Sequence, residues 1–338
     1  MNNTESRSSI MKGITALVET LSAGYNLAVK RIWLIFIPMA LDIYLWLGPR
    51  LSIRPLTGFL LKLWLPSEQI PAELQSFLDL NRQFLETMGQ EVNLFSLLSS
   101  NLMGMPSYLT GGVPEGITAS SITWGESGSV LVVLALIPLL LAAGLFLGSI
   151  YLGAIAQVTR SGTVNLNHLI RRVWRYWLLI LLFGVLLIVV FSIVGLPVFM
   201  LVALLEIFSS TVARFVLLGA GGLLMWALFH LFFVPHAIVI GESNLLPAVW
   251  NSMIVVGRNF WSTLGLIILM NLIQSGFTVI WDNLSINAPL TALSIAGNAF
   301  IGTGLAAASL VFYRDRLAQW QAWLEQVQAA QTANEEQE

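Results

Sequence analysis

The sequence predicts an all-α polytopic membrane bundle: about six transmembrane helices in three hairpin repeats, with amphipathic helices on the cytoplasmic side. Three observations predict it. Hydrophobic residues make up 57% of the 338 residues and charged residues 10%, against roughly 25% charged in soluble domains, so lipid must solvate much of the surface. Five or six apolar runs approach or exceed the ~20 residues that a helical span needs. A basic residue, then tryptophan, then an apolar run recurs three times, at Lys30/Arg31–Trp33, Arg175–Trp177 and Arg258–Trp261.

The same composition narrows the function. A formal charge of −2 gives a nucleic-acid partner no support. The absence of cysteine excludes disulfides, thiolate nucleophiles, cysteine-ligated clusters and thioether haem. The first apolar run follows some thirty polar or amphipathic residues, which resembles a signal anchor more than a cleaved leader.

Taken in order, residues 1–7 are polar and read as a disordered terminus. Residues 8–47 hold an interfacial helix and the first span. Ile10, Ile14, Leu17, Val18, Leu21, Tyr25 and Ala28 keep helical spacing; the span, about Lys30–Leu47, carries Asp42. Nine Leu, Ile and Phe residues there favour insertion by roughly 0.3–0.6 kcal/mol each, and a central Asp opposes it by about 2.5–3.5. This span therefore needs neighbours.

Residues 48–128 read as an extracytoplasmic helical and loop insertion, a cap placed in the first repeat. Leu51–Leu65, apolar with Arg54 and Lys62, suits an interfacial helix; Leu74, Phe77, Leu78, Leu85 and Met88 give an amphipathic one. The stretch beyond Asn93 is rich in Gly, Ser, Thr and Pro, a loop signature.

Residues 129–316 carry spans two to six. The second, about Ser129–Ile155, has Gly144 and Gly148 as a GxxxG pair that lets helices approach closely. The third, Tyr176–Leu205, is 30 residues or about 45 Å of helix, so it must tilt or break, with Pro197 the expected break. The fourth is Val212–Ile240, with Pro235 near its end, and the fifth is about Phe260–Trp281. The sixth, about Pro289–Tyr313, is lined by small residues such as Ala299, Thr303 and Ala307, which points to a close-packed position. Residues 317–338 form a cytoplasmic tail. With both termini in the cytoplasm, eleven basic residues lie inside and five outside, four of those five in the long insertion, as the positive-inside rule favours.

Trp33, Trp177 and Trp261 are the interface anchors of the repeat, the indole at the headgroup level beside its cation. The stretch LLPAVWNSMIVVGRNFWSTLGLIIL, with a last span ending in FYRDRL, resembles the polytopic membrane domain that precedes some bacterial glycerophosphodiester phosphodiesterases, and related uncharacterised six-helix membrane proteins. The likeness covers residues 130–316 well and 8–47 weakly, and omits 48–128. It implies a six-helix domain of the inner membrane. No stretch here resembles the soluble catalytic barrel of that family, so its activity is not implied.

No catalytic constellation emerges: HExxH, a phosphate loop, a GxSxG elbow and paired carboxylates on one helix face are missing. No cofactor or metal is expected. His230 and His236 lie six residues apart, about 240° around a helix, and cannot share a face; His168 reads as a solvated residue. Asp42 is the deepest ionisable group, for which a packing role and a relay role are both open. Asn271, Gln274 and Asn298 are candidate intramembrane hydrogen-bonding residues. Arg171, Arg172 and Arg175, with Trp174 and Trp177, and separately Arg258, are candidate contacts to anionic lipid headgroups. The expected function is a non-enzymatic scaffold or a transport or envelope accessory that contacts lipid or unknown membrane proteins. The alternative is a small-solute or lipid transporter with a polar cavity around Asp42.

Overall fold

The computed structural model describes residues 3–64, 72–99, 105–112, 123–124 and 128–335. The side chains of Ile10, Ile14, Leu74 and Phe77, and most of the Gly/Ser/Thr-rich loop, lie outside what is described. The described chain is all-α apart from one two-residue parallel strand pair, and five helices are long and apolar enough to cross a membrane. In order they are α1 (Asn3–Lys30), α2 (Phe36–Leu47), α3 (Arg54–Trp64), α4 (Ala72–Glu91), α5 (Val130–Ser161), α6 (Leu166–Phe208), α7 (Ser210–His230), α8 (Val234–Ile240), α9 (Leu245–Arg258), α10 (Phe260–Leu284) and α11 (Ala288–Glu335).

Several boundaries differ from expectation. Residues 3–7 are helical rather than disordered; no Gly or Pro interrupts them, and polar residues tolerate a helix. The expected first span is interrupted at Arg31, which leaves helical geometry. A 3-10 turn, Ile32–Ile35, then leads into α2. Twelve residues of α2 reach only about 18 Å, short of the ~30 Å hydrocarbon core. The third span is not broken at Pro197. Helix α6 runs unbroken through it for 43 residues, about 65 Å, and absorbs the basic–aromatic segment at its start. Proline is tolerated in such helices when local adjustments satisfy the freed carbonyl. In the fourth run the interruption falls at residues 231–233, just before Pro235, which occupies the first turn of α8. The tail is a direct continuation of α11.

Packing divides the chain into two units. The cap unit comprises residues 28–151 and 271–304. Here α3 and α4 form an antiparallel hairpin: Gly89, near the end of α4, lies against Thr57 and Arg54 at the start of α3. Its root is apolar. Leu51, Ile53 and Leu94 pack with Val133 and Leu140 of α5, joined by Leu56 and Met88 from the hairpin itself. The following 3-10 turn, Leu94–Leu98, descends along α5 to Gly144, where a Cβ would stand 2.5 Å from the Leu97 carbonyl oxygen and 2.9 Å from that of Leu98. Gly144 therefore admits loop backbone, not the neighbouring helix that its GxxxG spacing predicted. Gln274 Nε2 donates to Asn298 Oδ1 at 2.8 Å, and Tyr151 Oη to Thr303 Oγ1 at 3.0 Å, so the expected hydrogen bond between α10 and α11 forms.

The junction unit comprises Leu152–Met270 with the two chain ends. Its core is α8 and the middle of α11, with Phe233 stacked on Phe312 at 5.7 Å and Ala307, Leu310 and Tyr313 fully buried. The close-packed position expected for the last span holds: 78% of its most apolar stretch is buried, against 11% for α10.

A Gly144→Val variant forces the Leu97–Leu98 backbone off α5, and we expect a loss of roughly 1–3 kcal/mol from overpacking. Gly195→Ala, where a Cβ meets open space, gains up to about 1 kcal/mol of helix propensity. Thermal unfolding of both proteins in detergent checks the contrast; equal midpoints would refute the close approach at Gly144.

Candidate functional site

Among the described residues two polar constellations stand out, one in each unit. In the cap unit, Asp42 is wholly buried on α2. Its Oδ1 accepts from Ser107 Oγ at 2.5 Å and from the Leu109 N–H at 3.2 Å, and its Oδ2 from the Tyr108 N–H at 2.9 Å. These donors lead the 3-10 turn Leu109–Gly111, whose first N–H groups have no helical partner. One carboxylate supplies the acceptors that the turn lacks. Tyr108 Oη continues the chain to Ser285 Oγ at 3.0 Å. Both oxygens are engaged by fixed donors, so Asp42 acts as a staple between α2 and the returning cap loop.

In the junction unit, Glu242 links α8 to α9. It takes a left-handed backbone, φ 47°, which costs a non-glycine residue roughly 1–3 kcal/mol. The surrounding network offsets that strain. Glu242 Oε1 accepts from Arg160 Nη1 at 2.9 Å and Tyr176 Oη at 3.2 Å, and Oε2 stands 3.3 Å from Arg172 Nη2. Arg175 Nη2 donates to the Glu242 carbonyl at 3.1 Å and to Asn244 Oδ1 at 2.8 Å. Arg160 also reaches the Ile240 carbonyl at 3.3 Å, and Arg314 Nη1 the Thr159 carbonyl at 2.6 Å. The end of α5, the start of α6, the α8–α9 link and the middle of α11 thus share one end of the unit. Burial alone would raise the Glu242 carboxyl, but the Arg160 hydrogen bond and charge, with the Arg172 charge, outweigh it and hold the group below the usual carboxylate range.

Gln157 seals the α5–α6 corner. Its Oε1 accepts from the Asn165 N–H at 2.9 Å, which fixes the amide orientation, so its Nε2 donates to His168 Nδ1 at 3.1 Å. The imidazole is then the Nε2–H tautomer, and that nitrogen faces Glu242 Oε1 at 3.6 Å. His168, read as a solvated residue, belongs to the network.

The remaining predicted residues scatter. Arg171 points outward beside exposed Trp174 and is not drawn into the Glu242 network, so the basic cluster divides into one outward and two inward arginines. The guanidinium of Arg258, expected at lipid headgroups, lies over Trp320 and Trp323 at 4.3 and 4.6 Å from the ring centroids. Trp33 sits in the 3-10 turn, Trp177 well inside α6 against Trp174, and Trp261 at the start of α10, 79% exposed. Asn271 is exposed on α10. His230 Nδ1 meets the Trp226 carbonyl at 2.9 Å, and His236 Nε2 meets Ser309 Oγ at 2.8 Å. Among the described residues no three His, Asp or Glu gather as metal ligands.

Sequence reasoning missed Glu242 as a hub, Gln157 as the corner seal, and Ser107 and Tyr108 as the partners of Asp42. For Glu242 a signal existed: it is the only acidic residue between Glu206 and Asp282, in a region flanked by arginines. No known protein family, curated protein or solved structure matches the chain.

Asp42→Ala orphans two backbone donors and a hydroxyl, and we expect a loss of several kcal/mol, about 1–3 for each donor. Asp42→Asn, which keeps one acceptor oxygen, loses less. Unfolding midpoints in detergent read the order wild type, Asn, Ala; an undisturbed Ala variant would remove the staple. For Glu242 the sign is that of a depressed carboxylate: its stabilisation is complete above the ordinary carboxylate range and disappears as pH falls through the lowered value. Glu242→Gln should cost about 1 kcal/mol at neutral pH, and the gap to wild type should close in acid. A gap independent of pH would assign the effect to shape, not charge.

Proposed function

We propose that this chain is an integral protein of the inner, cytoplasmic membrane, with both termini cytoplasmic and with six spans in three hairpin repeats. In this reading the interrupted Ile32–Leu47 segment counts as the first span. It works as a non-enzymatic scaffold, or as a transport or envelope accessory, that contacts anionic lipid or partner proteins at its cytoplasmic end. The resemblance to the membrane domain of bacterial glycerophosphodiester phosphodiesterases fits this reading.

One observation supports it above the rest: the surplus of positive charge at the α5–α6–α9 junction. Arg160 and Arg172 meet the Glu242 carboxylate and Arg175 the Glu242 backbone carbonyl, so three guanidinium groups face one carboxylate charge and leave a net charge of about +2 beside exposed Arg171 and Trp174. Each cation near a membrane surface attracts anionic lipid by about 1 kcal/mol. Trp174 and Trp177, edge to face at 5.7 Å, suit the headgroup level beside them. The transporter alternative has less support. Both oxygens of Asp42 already accept from fixed donors, which favours a constant partner over a group that must load and release.

The test uses delipidated full-length protein in neutral detergent. Phosphatidylglycerol should raise the unfolding midpoint more than phosphatidylcholine does, and Arg171→Gln should reduce that difference, because this arginine is not committed to the Glu242 network. Equal shifts for the two lipids would overturn the headgroup contact. Uptake of a solute by proteoliposomes, lost in Asp42→Asn, would favour the transporter instead.

A further inference from the structure

The segment that follows the α3–α4 hairpin does not stay at the end of the bundle. Its first limb is the 3-10 turn Leu94–Leu98 with Ser99; its second is residues 105–111. Thr110 Oγ1 donates to Ser99 Oγ at 2.9 Å and ties the limbs together. Each limb sits on a glycine of a different long helix. The Leu97 and Leu98 carbonyls press where a side chain at Gly144 of α5 would stand, and the Pro106 ring takes the place of one at Gly302 of α11. Met105, Tyr108 and Leu109 of the second limb are buried.

The two glycines lie at matching positions in their helices. Gly144 is 14 residues from the start of α5 at Val130 and 16 from Arg160, the first charged residue after it. Gly302 is 14 residues from the start of α11 at Ala288 and 12 from Arg314, again the first charge. Each therefore stands about 18–24 Å from either limit of an uncharged helical stretch. That is the middle of a length that suits a ~30 Å hydrocarbon core with its interfaces. Just past the loop, Tyr151 Oη donates to Thr303 Oγ1 at 3.0 Å, both residues fully buried, and closes α5 on α11. Irregular backbone at such a level persists only where protein or a water-filled cavity covers it, because lipid offers its N–H groups no partner. Asp42 on α2 supplies the partner here: it accepts from the Ser107 hydroxyl and from the Tyr108 and Leu109 N–H groups.

We propose that residues 94–111 form a re-entrant strap, which enters the bilayer beside the α3–α4 hairpin, is seated at mid-membrane on Gly144 and Gly302, and leaves by the same side, latched by Asp42. The flanks of the segment put both of its ends together. It starts at Asn93, whose Oδ1 accepts from the Leu51 N–H at 2.9 Å, and the chain after it returns to pair Thr123–Trp124 with Arg50–Leu51. Trp124 then meets Phe95 of the first limb edge to face at 6.4 Å. A loop, in place of a helix, thus bridges α2, α5 and α11, and one carboxylate locks it. Part of the 48–128 insertion is intramembrane on this reading. The inference rests on the membrane reading proposed above but on none of the junction arginines.

The chain has no cysteine, so single cysteines in the full-length protein report without background in phosphatidylcholine–phosphatidylglycerol vesicles. Spin labels at Leu134, Leu139 and Leu141, all exposed on α5, measure the depth of the seat. Collision with oxygen, which partitions into lipid, is compared with collision with a water-soluble nickel chelate. Oxygen should dominate, most strongly at 139 and 141, near the level of Gly144. Chelate-dominated relaxation at 139 and 141 alone would leave the loop in water and overturn the strap. The same result at Ile188 and Ile193, exposed near the middle of α6, would sink the membrane reading itself. The latch is read by a membrane-impermeant maleimide on Leu98→Cys, with Glu86→Cys on the exposed face of α4 as reference. Leu98→Cys should react roughly tenfold more slowly than the reference, and Ser107→Ala, then Asp42→Ala, should remove that protection in steps. Ser107→Ala deletes one hydroxyl and spares the backbone bonds, so it decides the matter even where Asp42→Ala fails to fold. Equal rates at 98 and 86, or protection indifferent to the substitutions, would overturn the proposal.

Discussion

The structure depends on one constraint: backbone N–H and C=O groups outside regular helix must find partners where water is scarce. A chain with five membrane-length helices meets this rule wherever a helix ends, breaks or gives way to a turn. Asp42 meets it for the turn at Leu109, through two N–H groups and one hydroxyl. Asn93 Oδ1 meets it for the Leu51 and Phe95 N–H groups, at 2.9 and 3.1 Å. Ser252 meets it at the α7–α8 interruption, donating to the His230 carbonyl at 2.7 Å and accepting from the Phe233 N–H at 3.1 Å. The arginines serve the carbonyl side: Arg160 at Ile240, Arg175 at Glu242 and Arg314 at Thr159.

This constraint reorders the residues that looked functional. An ionisable group inside an apolar helix is expensive unless something compensates, which is why Asp42 drew attention as a possible relay. Its compensation is structural. Both of its oxygens accept from donors that would otherwise be orphaned. The same reasoning separates Arg172 and Arg175, fixed on Glu242 and its neighbours, from Arg171, which keeps its charge for the exterior.

Much of the fold was legible in the sequence because hydrophobic length is a local property. Runs of apolar residues mark α5, α6, α7–α8, α10 and α11, and small residues such as Ala299, Thr303 and Ala307 mark the buried position of α11. Helix breaks were less legible. Proline was the available signal, yet Pro197 lies in an unbroken helix, while the interruption at Arg31 contains neither Gly nor Pro. Whether a break forms depends on whether a partner such as Ser252 waits to satisfy it, and that partner is distant in sequence. The Asp42 site was half legible: the carboxylate announced itself, but Ser107 and Tyr108 are ordinary loop residues until the fold brings them beneath α2. Gly144 shows the limit of motif reading, since its spacing specified close approach without naming what approaches.

The repeat can be weighed in the same physical terms. The three tryptophans follow a cation and precede an apolar run, but their backbones differ: a 3-10 turn at Trp33, continuous helix at Trp177, a fresh helix start at Trp261. An anchor needs only an indole near the headgroups with a cation beside it, and several backbone paths deliver that. What the three sites hold in common is therefore the order of a cation and an indole in the sequence, not a backbone conformation. At two of them the chain gives up helical geometry just before the anchor, at Arg31 and Asn259, so the preceding segment is free to turn out of line with the span. At Trp177 the helix is unbroken from Leu166 to Phe208, about 65 Å in all, so its amphipathic start is a straight extension of its apolar stretch. That rigid extension carries Arg172 and Arg175 to Glu242, and it explains why the most elaborate polar network of the junction unit forms at this one anchor.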